Sequence, residues 1–288
     1  VSKKESPSSA ASPAQSQPTA ADHLRDSFHL LLRAEFGDPF SVLGPHPVET
    51  AEGNALAIRA LLPSAEKMTV VFSDPNEEYP ATQVHPGGVF EAVVRGNAAT
   101  RAIPGGYKFR VHYSGGVVRE IHDPYNFPSL HTDFDLHLIG EGTHYEKYEK
   151  LGAHPREIAG VSGVHFAVWA PNALRVSVTG DFNLWDGRVH TMRSLGPSGL
   201  WEMFIPEVAV GSIYKFEIRP KGAPLPILKA DPYAFSAELR PRTGSIVYDL
   251  SGHSWNDKSW MDARRGRNWL DAPISVYELH LGSWKRAA

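Results

Sequence analysis

The chain has 288 residues, a length that suggests about two domains, with 42% hydrophobic residues, 10% aromatic residues and a formal net charge of −3. It has no Lys/Arg cluster to give the electrostatic footprint of a nucleic-acid binder, and no apolar run approaches the ~20 residues that cross a bilayer. The lack of cysteine excludes disulfides and thiolate metal sites and fits a reducing compartment. A cytoplasmic protein without nucleic-acid or membrane partners is expected.

Residues 1–21 (VSKKESPSSAASPAQSQPTAA) are charged and then Ser/Ala/Pro/Gln-rich, with no apolar core of a signal peptide. They bury too little apolar surface to offset their ordering entropy, so a disordered tail is predicted. Between Asp22 and Glu35, Leu24, Phe28, Leu31 and Leu32 recur at helical spacing, and Gly37 stands where a C-terminal cap belongs. Alternating strands follow. Leu56, Ile58 and Ala60 share one parity, as do Met68, Val70 and Phe72, before VFEAVV (89–94), YKFRVHY (107–113) and VVREIH (117–122). Short strands broken by Gly/Pro/Asn/Asp turns predict an antiparallel sandwich.

Residues 131–157 carry no clean strand period and read as a packed connector with a helical turn at Tyr145–Leu151. The strand grammar then returns in VHFAVWA (164–170), RVSVTG (175–180), LWEMFI (200–205), IYKFEI (213–218) and SIVYDL (245–250). This second stretch repeats the first. Pro63 and Pro171, Tyr107 and Tyr214, and Asp123 and Asp231 fall in the same order at a lag of 107 or 108 residues, within LLPSAEKMTVVF/WAPNALRVSVTG, GYKFRV/IYKFEI and DPYNF/DPYAF. Self-similarity at one lag reports a duplicated folding unit. Near the end, APISVYELHLGSW (272–284) is nearly all apolar, the signature of a strand buried on both faces in a parallel sheet.

Six motifs, GDPFSVLGPH (37–46), DPYNFPSL (123–130), LGAHPRE (151–157), GDFNLWDG (180–187), KADPYAF (229–235) and ISVYELHLGSWKR (274–286), occur in an order that resembles the N-terminal part of the bacterial 1,4-α-glucan (glycogen) branching enzymes. The resemblance implies that the first sandwich is the extra N-terminal β-module of the longer bacterial form. The second would be the starch-binding-type module that precedes branching and debranching enzymes, and the last strand would open an α-amylase-type barrel. Such a barrel needs about 250 residues, and retaining glycosyl transfer needs two carboxyl groups about 5 to 5.5 Å apart. No residue here matches that pair, so no catalytic residue is assigned and the chain alone is expected to be inactive.

Trp185 is the leading binding candidate, because Asn183-Leu184-Trp185-Asp186-Gly187 is a polar turn between strands. An exposed indole offers a flat apolar face to a glucose ring, with Asn183, Asp186 or Arg188 beside it for the hydroxyls. The alternative is that Trp185 packs against the barrel. Lys215 resembles the ligand-contacting lysine of related glycogen-binding modules, although Lys108 holds the same place in the first repeat and favours a structural role. The loop RPKGAPLPILKA (219–230) offers no second aromatic, and the first repeat offers only Tyr79. Binding is therefore expected to be weak. His131, Asp133, Asp135 and His137 alternate, so an extended backbone would place all four on one face. The stretch is connector-like, however, and neither a metal nor a cofactor is expected.

The sequence thus predicts an all-β chain of two tandem antiparallel, immunoglobulin-like β-sandwiches followed by the first strand of a (β/α)8 barrel. The expected division is a tail (1–21), a first module with a leading helix (22–130), a connector (131–157), a glycogen-binding-type module (158–257) and a linker with the barrel strand (258–288). The expected partner is an α-1,4-glucan such as glycogen, bound by a monomer. Two other readings are a stand-alone glucan-binding or regulatory module and a portion of a debranching or trehalose-releasing relative. The terminal ISVYELHLGSWKR counts against the former, and the duplicated module with DPFSVLGPH against the latter.

Overall fold

The computed structural model describes residues 20–73, 75–268 and 270–284. The tail expected over 1–21 lies outside the described residues except for Ala20 and Ala21, which open helix α1 (Ala20–Leu32). The chain divides into two compact units, Val1–Asp249 and Leu250–Ala288.

Helix α1 buries Phe28 and Leu31, with Leu24 and Leu32 partly covered, as the spacing required. It ends earlier than expected. The left-handed residue after it is Ala34, at φ 53°, and the Glu35 N–H reaches back to Leu30 O at 2.8 Å. Gly37 serves a different need, since a Cβ there would stand 2.6 Å from Leu174 O.

The first sandwich comprises β1 (Gly44–Thr50), β2 (Gly53–Leu61), β3 (Ala65–Ser73), β4 (Asn76–Pro80), β5 (Thr82–His85), β6 (Val89–Val94), a helical turn α2 (Asn97–Thr100), β7 (Lys108–Tyr113) and β8 (Val118–His122). The strands form two antiparallel sheets of order β1-β2-β6-β5 and β4-β3-β7-β8. Successive side chains point to opposite faces, so Ile58, Ala60, Phe90, Ala92 and Val94 of one sheet meet Met68, Val70, Phe72, Phe109 and Val111 of the other.

Helix α3 (Asp133–Glu141) follows, with Thr132 and Asp135 as a capping box and Gly142 in the left-handed conformation at its end. The backbone at 131–137 is therefore not extended. The capping box drives the chain into a helix, which sets Asp133 and His137 on one face and Asp135 on another, with His131 ahead of the first turn. Asp135 caps, and also pairs with Lys150 at 3.2 Å and His144 at 3.3 Å. The predicted turn near 145–151 is a short 3-10 turn at Lys147–Glu149.

The second sandwich contains β9 (Gly152–Ile158), β10 (Val161–Trp169), β11 (Ala173–Gly180), β12 (Arg193–Ser194), β13 (Leu200–Pro206), β14 (Ile213–Pro220), β15 (Ile227–Lys229), β16 (Ser236–Ala237) and β17 (Ser245–Ile246). Its sheets run β12-β13-β10-β9 and β11-β14-β17-β16, with β15 on β14. Residues 152–157, read from sequence as connector, thus belong to a strand that pairs with β10. The order β9-β10-β13-β12 repeats β1-β2-β6-β5, and β11-β14-β15 repeats β3-β7-β8. Matching contacts extend the duplication to single atoms. His46 and His154 each place Nε2 3.0 Å from a carbonyl three residues earlier, Leu43 and Leu151. Gly44 (φ 86°) and Gly152 (φ 106°) lie against the carbonyls of Tyr125 and Tyr233, where a Cβ would come within about 3 Å.

The outer face of sheet β12-β13-β10-β9 is covered as well. Val164, Phe166 and Val168 point into the sandwich, while Ala167 and Leu200 on the opposite face pack with Leu151, Leu136 and Ile139 of the connector. This explains why β13 is buried along most of its length.

The core of the second sandwich continues into elements from the start of the chain. Phe28, Leu31, Val42, Leu43 and Tyr125 belong to the same cluster as Phe166, Trp201 and Tyr214. Tyr125 Oη donates to Val189 O at 3.0 Å and accepts from Thr191 N–H at 3.1 Å.

The unit Leu250–Ala288 contains α4 (Lys258–Arg265) and one helical turn, α5 (Leu281–Trp284). The strand expected over 272–284 does not form: residues 273–280 carry no ladder, and Ile274 and Val276 are 78% and 88% exposed. A strand exists only where a neighbour takes up its N–H and C=O groups, and no such neighbour occurs among the described residues of this unit.

Candidate functional site

Strand β11 delivers the loop that carries the candidate residues. Its first turn, Asp181–Asn183, is closed by Leu184 and Trp185, both left-handed at φ 55° and 61°. Consecutive non-glycine residues of this kind cost of order 1 kcal/mol each, so the surroundings must hold them. Asn183 supplies most of that hold. Its Oδ1 accepts from Gly180 N–H at 2.9 Å, and its Nδ2 donates to Val178 O at 2.8 Å and to His190 Nδ1 at 2.9 Å. Burial pushes His190 down to about 4, so its ring is neutral and offers a lone pair to that amide.

The indole is fixed in turn. Trp185 N–H donates to Gly180 O at 3.0 Å, and Nε1–H donates to Asp181 Oδ1 at 2.8 Å. The ring remains 37% exposed, and Leu184 beside it is exposed. Arg188 grips Asp186 with Nη2 at 2.6 Å and Nε at 2.9 Å. Burial pushes the Asp186 carboxyl up, but this fork and the Arg188 N–H outweigh it and hold the group below its ordinary value.

Beneath the loop lies Arg175, fully buried, a residue not anticipated from the sequence. Its Nη1 donates to Gly187 O at 2.7 Å and to Ser177 Oγ, and its Nη2 pairs with Glu217. A Cβ at Gly187 would run into the Glu217 carboxylate, so a side chain there would push that group off Arg175. The available signal was an arginine inside the apolar run RVSV, a place where a charge survives only with partners.

The four candidates therefore differ in setting. Trp185 presents an apolar ring to solvent. Asp186 is part-buried and tied to Arg188. Asn183, expected at the edge for hydroxyls, is buried with its amide engaged, and so shapes the loop. Lys215 lies on β14 opposite Thr179, just before the loop begins, and donates to Thr243 Oγ1 at 2.7 Å. Its counterpart Lys108 pairs with Val71 on β3. In the first repeat, Tyr79 is partly buried against Phe72 and bonds Glu77 at 3.0 Å, so its ring is not a free platform.

Residues 150–234 match the family model Carbohydrate-binding module 48 (Isoamylase N-terminal domain). Residues 24–125 match the model of the alpha-1,4-glucan branching enzyme GlgB, N-terminal domain, and the chain belongs with the N-terminal portion of those enzymes.

It is 47% identical over 261 residues to the 1,4-alpha-glucan branching enzyme GlgB of Rubrobacter xylanophilus, which covers 91% of this chain and 34% of that protein. It is 45% identical over 270 residues to that of Paramagnetospirillum magneticum, covering 93% and 35%, and 48% identical over 266 residues to that of Synechocystis sp., covering 91% and 33%. The chain spans about a third of the length of these relatives.

Proposed function

We propose that the chain is the glucan-handling portion of a glycogen branching enzyme and holds linear α-1,4-glucan weakly on the loop 181–188. The observation that carries this reading is Trp185, an exposed indole whose plane is fixed by its own Nε1–H bond to Asp181. A pre-set ring stacks on the C–H face of a pyranose without an ordering penalty, and Asp186 and Lys215 supply polar groups for hydroxyls. Asn183 acts from beneath by fixing the loop. In this reading the reaction served is cleavage of an α-1,4-glucan and transfer of the segment to a 6-hydroxyl. The chain is taken to act as a cytoplasmic monomer that contributes no catalytic residue. The branching-enzyme relatives support this reading over a stand-alone module or a debranching relative.

Titrating a maltooligosaccharide into the wild type and Trp185→Ala tests the proposal. Loss of a stacking aromatic is expected to weaken binding by about 1 kcal/mol or more, roughly fivefold, with the thermal midpoint unchanged. Equal affinities would place the glucan elsewhere and leave Trp185 as a packing residue.

A further inference from the structure

The outer face of sheet β12-β13-β10-β9 holds a second constellation, which the glucan loop does not use. His165 on β10 and Glu202 on β13 share that face, since Ala167 is the register partner of Glu202 and His165 lies two residues away. His131 descends onto them from the connector. All three are buried, at 5%, 2% and 7% exposure. One carboxylate oxygen, Glu202 Oε2, receives His131 Nδ1 at 2.9 Å, His165 Nε2 at 3.0 Å and the Leu130 N–H at 3.1 Å.

The bonding around this oxygen is uneven. Three donors crowd Oε2, while Oε1 of the same buried carboxylate has no hydrogen bond, with Arg193 Nη1 at 3.6 Å. His131 Nε2 is also buried without a partner. Buried polar atoms are nearly always satisfied, so the cluster is incompletely partnered by protein groups, and its loose ends lie on atoms other than those that meet at Oε2. A cavity of about 290 Å³, lined by His131, His165, Glu149 and Glu157, adjoins the cluster.

We propose that His131 Nδ1, His165 Nε2 and Glu202 Oε2 form a site for a divalent transition-metal ion of the zinc or cobalt type. Two imidazole nitrogens and a carboxylate oxygen suit these ions, whereas calcium and magnesium require oxygen ligands. The ligand atoms lie within 4.8 Å of one another. Bonds of about 2.1 Å in tetrahedral geometry put ligands roughly 3.4 Å apart, so the two contacts to Oε2 must open by about 0.5 Å and the two nitrogens, within 4.8 Å of each other, must settle at the same spacing. The ion takes the lone pairs of His131 Nδ1 and His165 Nε2, so each ring then carries its hydrogen on the other nitrogen. Leu130 N–H and Arg193 remain on the carboxylate as its outer partners, and a water from the cavity fills the fourth position. Bound there, the ion ties the connector to the second sandwich. This departs from the sequence reading, which set His131 beside Asp133, Asp135 and His137.

The test is Co2+ titration of the full chain followed by visible absorption, with Zn2+ as competitor. One equivalent is expected to give the intense band of a four-coordinate ion, and Zn2+ to displace it and raise the thermal midpoint by several degrees. His131→Gln and His165→Gln should each weaken binding at least tenfold, while His137→Gln, an exposed imidazole, should leave it unchanged. Absence of saturable one-to-one binding, or equal binding by all three variants, overturns the site. Should a variant fail to fold, anomalous scattering at the zinc edge from wild-type crystals decides: a peak among the three ligand atoms supports the site, and a peak elsewhere or none removes it.

Discussion

Tyr107 Oη donates to Asp123 Oδ2 at 2.6 Å, and 107 or 108 residues later Tyr214 Oη donates to Asp231 Oδ2 at the same 2.6 Å. In each pair the other carboxylate oxygen accepts the N–H of the tyrosine two residues on, Tyr125 at 2.9 Å and Tyr233 at 2.8 Å. The DPY motif is therefore a buried clamp that fastens the end of a sandwich to its YKF strand, made once in each repeat.

Removing either hydroxyl leaves a buried carboxylate oxygen without its donor. Tyr107→Phe and Tyr214→Phe should each lower unfolding free energy by about 1–3 kcal/mol. The two clamps sit in different sandwiches, so the double variant should add to within about 0.5 kcal/mol. Urea unfolding of the three variants checks both statements, and strong non-additivity would mean that the clamps share a structure.

Asp123 also makes stability depend on pH. Burial pushes its carboxyl up from 3.8 to about 6, against the Tyr107 and Tyr125 donors. A raised carboxyl favours the protonated folded state, so its contribution is present below about 3.8 and is lost as pH rises through about 6. The wild type should lose ground against Asp123→Asn by about 3 kcal/mol between those limits. Thermal midpoints of both proteins from pH 3.5 to 7 measure this, and parallel curves would refute it.

The Arg175–Glu217 pair beneath the loop should be intolerant of cutting on one side. Glu217→Ala leaves a fully buried guanidinium unpaired, and a loss of about 3–5 kcal/mol is expected. Gly187→Ala should cause part of the same loss, because the new Cβ must displace the Glu217 carboxylate. Denaturant unfolding that showed either protein to be as stable as the wild type would contradict the role given to Arg175.

Asn183 and Lys215 should separate in one experiment. Asn183→Ala strips the Gly180 N–H of its acceptor and should lower stability by about 1–3 kcal/mol, with weaker maltooligosaccharide binding although Trp185 is intact. Lys215→Ala removes one exposed bond to Thr243 and should change stability by less than about 0.5 kcal/mol. The decisive readout is calorimetric binding beside thermal unfolding for each variant.

The sandwiches were legible in the sequence because period-two strands and a fixed lag are local signals. Ile58/Ala60 and Met68/Val70/Phe72 face each other as their parity required. The lag also joins Leu43-Gly44-Pro45-His46 to Leu151-Gly152-Ala153-His154, a correspondence evident only once the two carbonyl contacts are compared. Helix α3 was missed because alternating His and Asp outweighed Thr132 and Asp135, whose spacing is that of a capping pair. Segment 273–280 carries no ladder because apolarity shows only that a segment can be buried, and a ladder depends on a neighbour. Within the candidate site the exposed tryptophan was readable from its turn, whereas the work of Asn183 and Arg175 depends on partners distant in sequence such as Glu217. The gathering of His131, His165 and Glu202 was illegible for the same reason.

The insertion of Tyr125 between Val189 and Thr191 bears on how this polypeptide can be cut. Residues 150–234 form a neat stretch on paper, but a fragment trimmed to them would lose the phenol that bonds Val189 O and Thr191 N–H. It would also lose the Phe28, Leu31 and Val42 side chains that complete its apolar interior. Such an excised piece would be wet where the longer chain is dry, and its poor behaviour in a binding assay would say nothing about its affinity for sugar. Any graft of the tryptophan loop onto another scaffold must therefore bring the stretch from residue 20 with it, or replace Tyr125 by design.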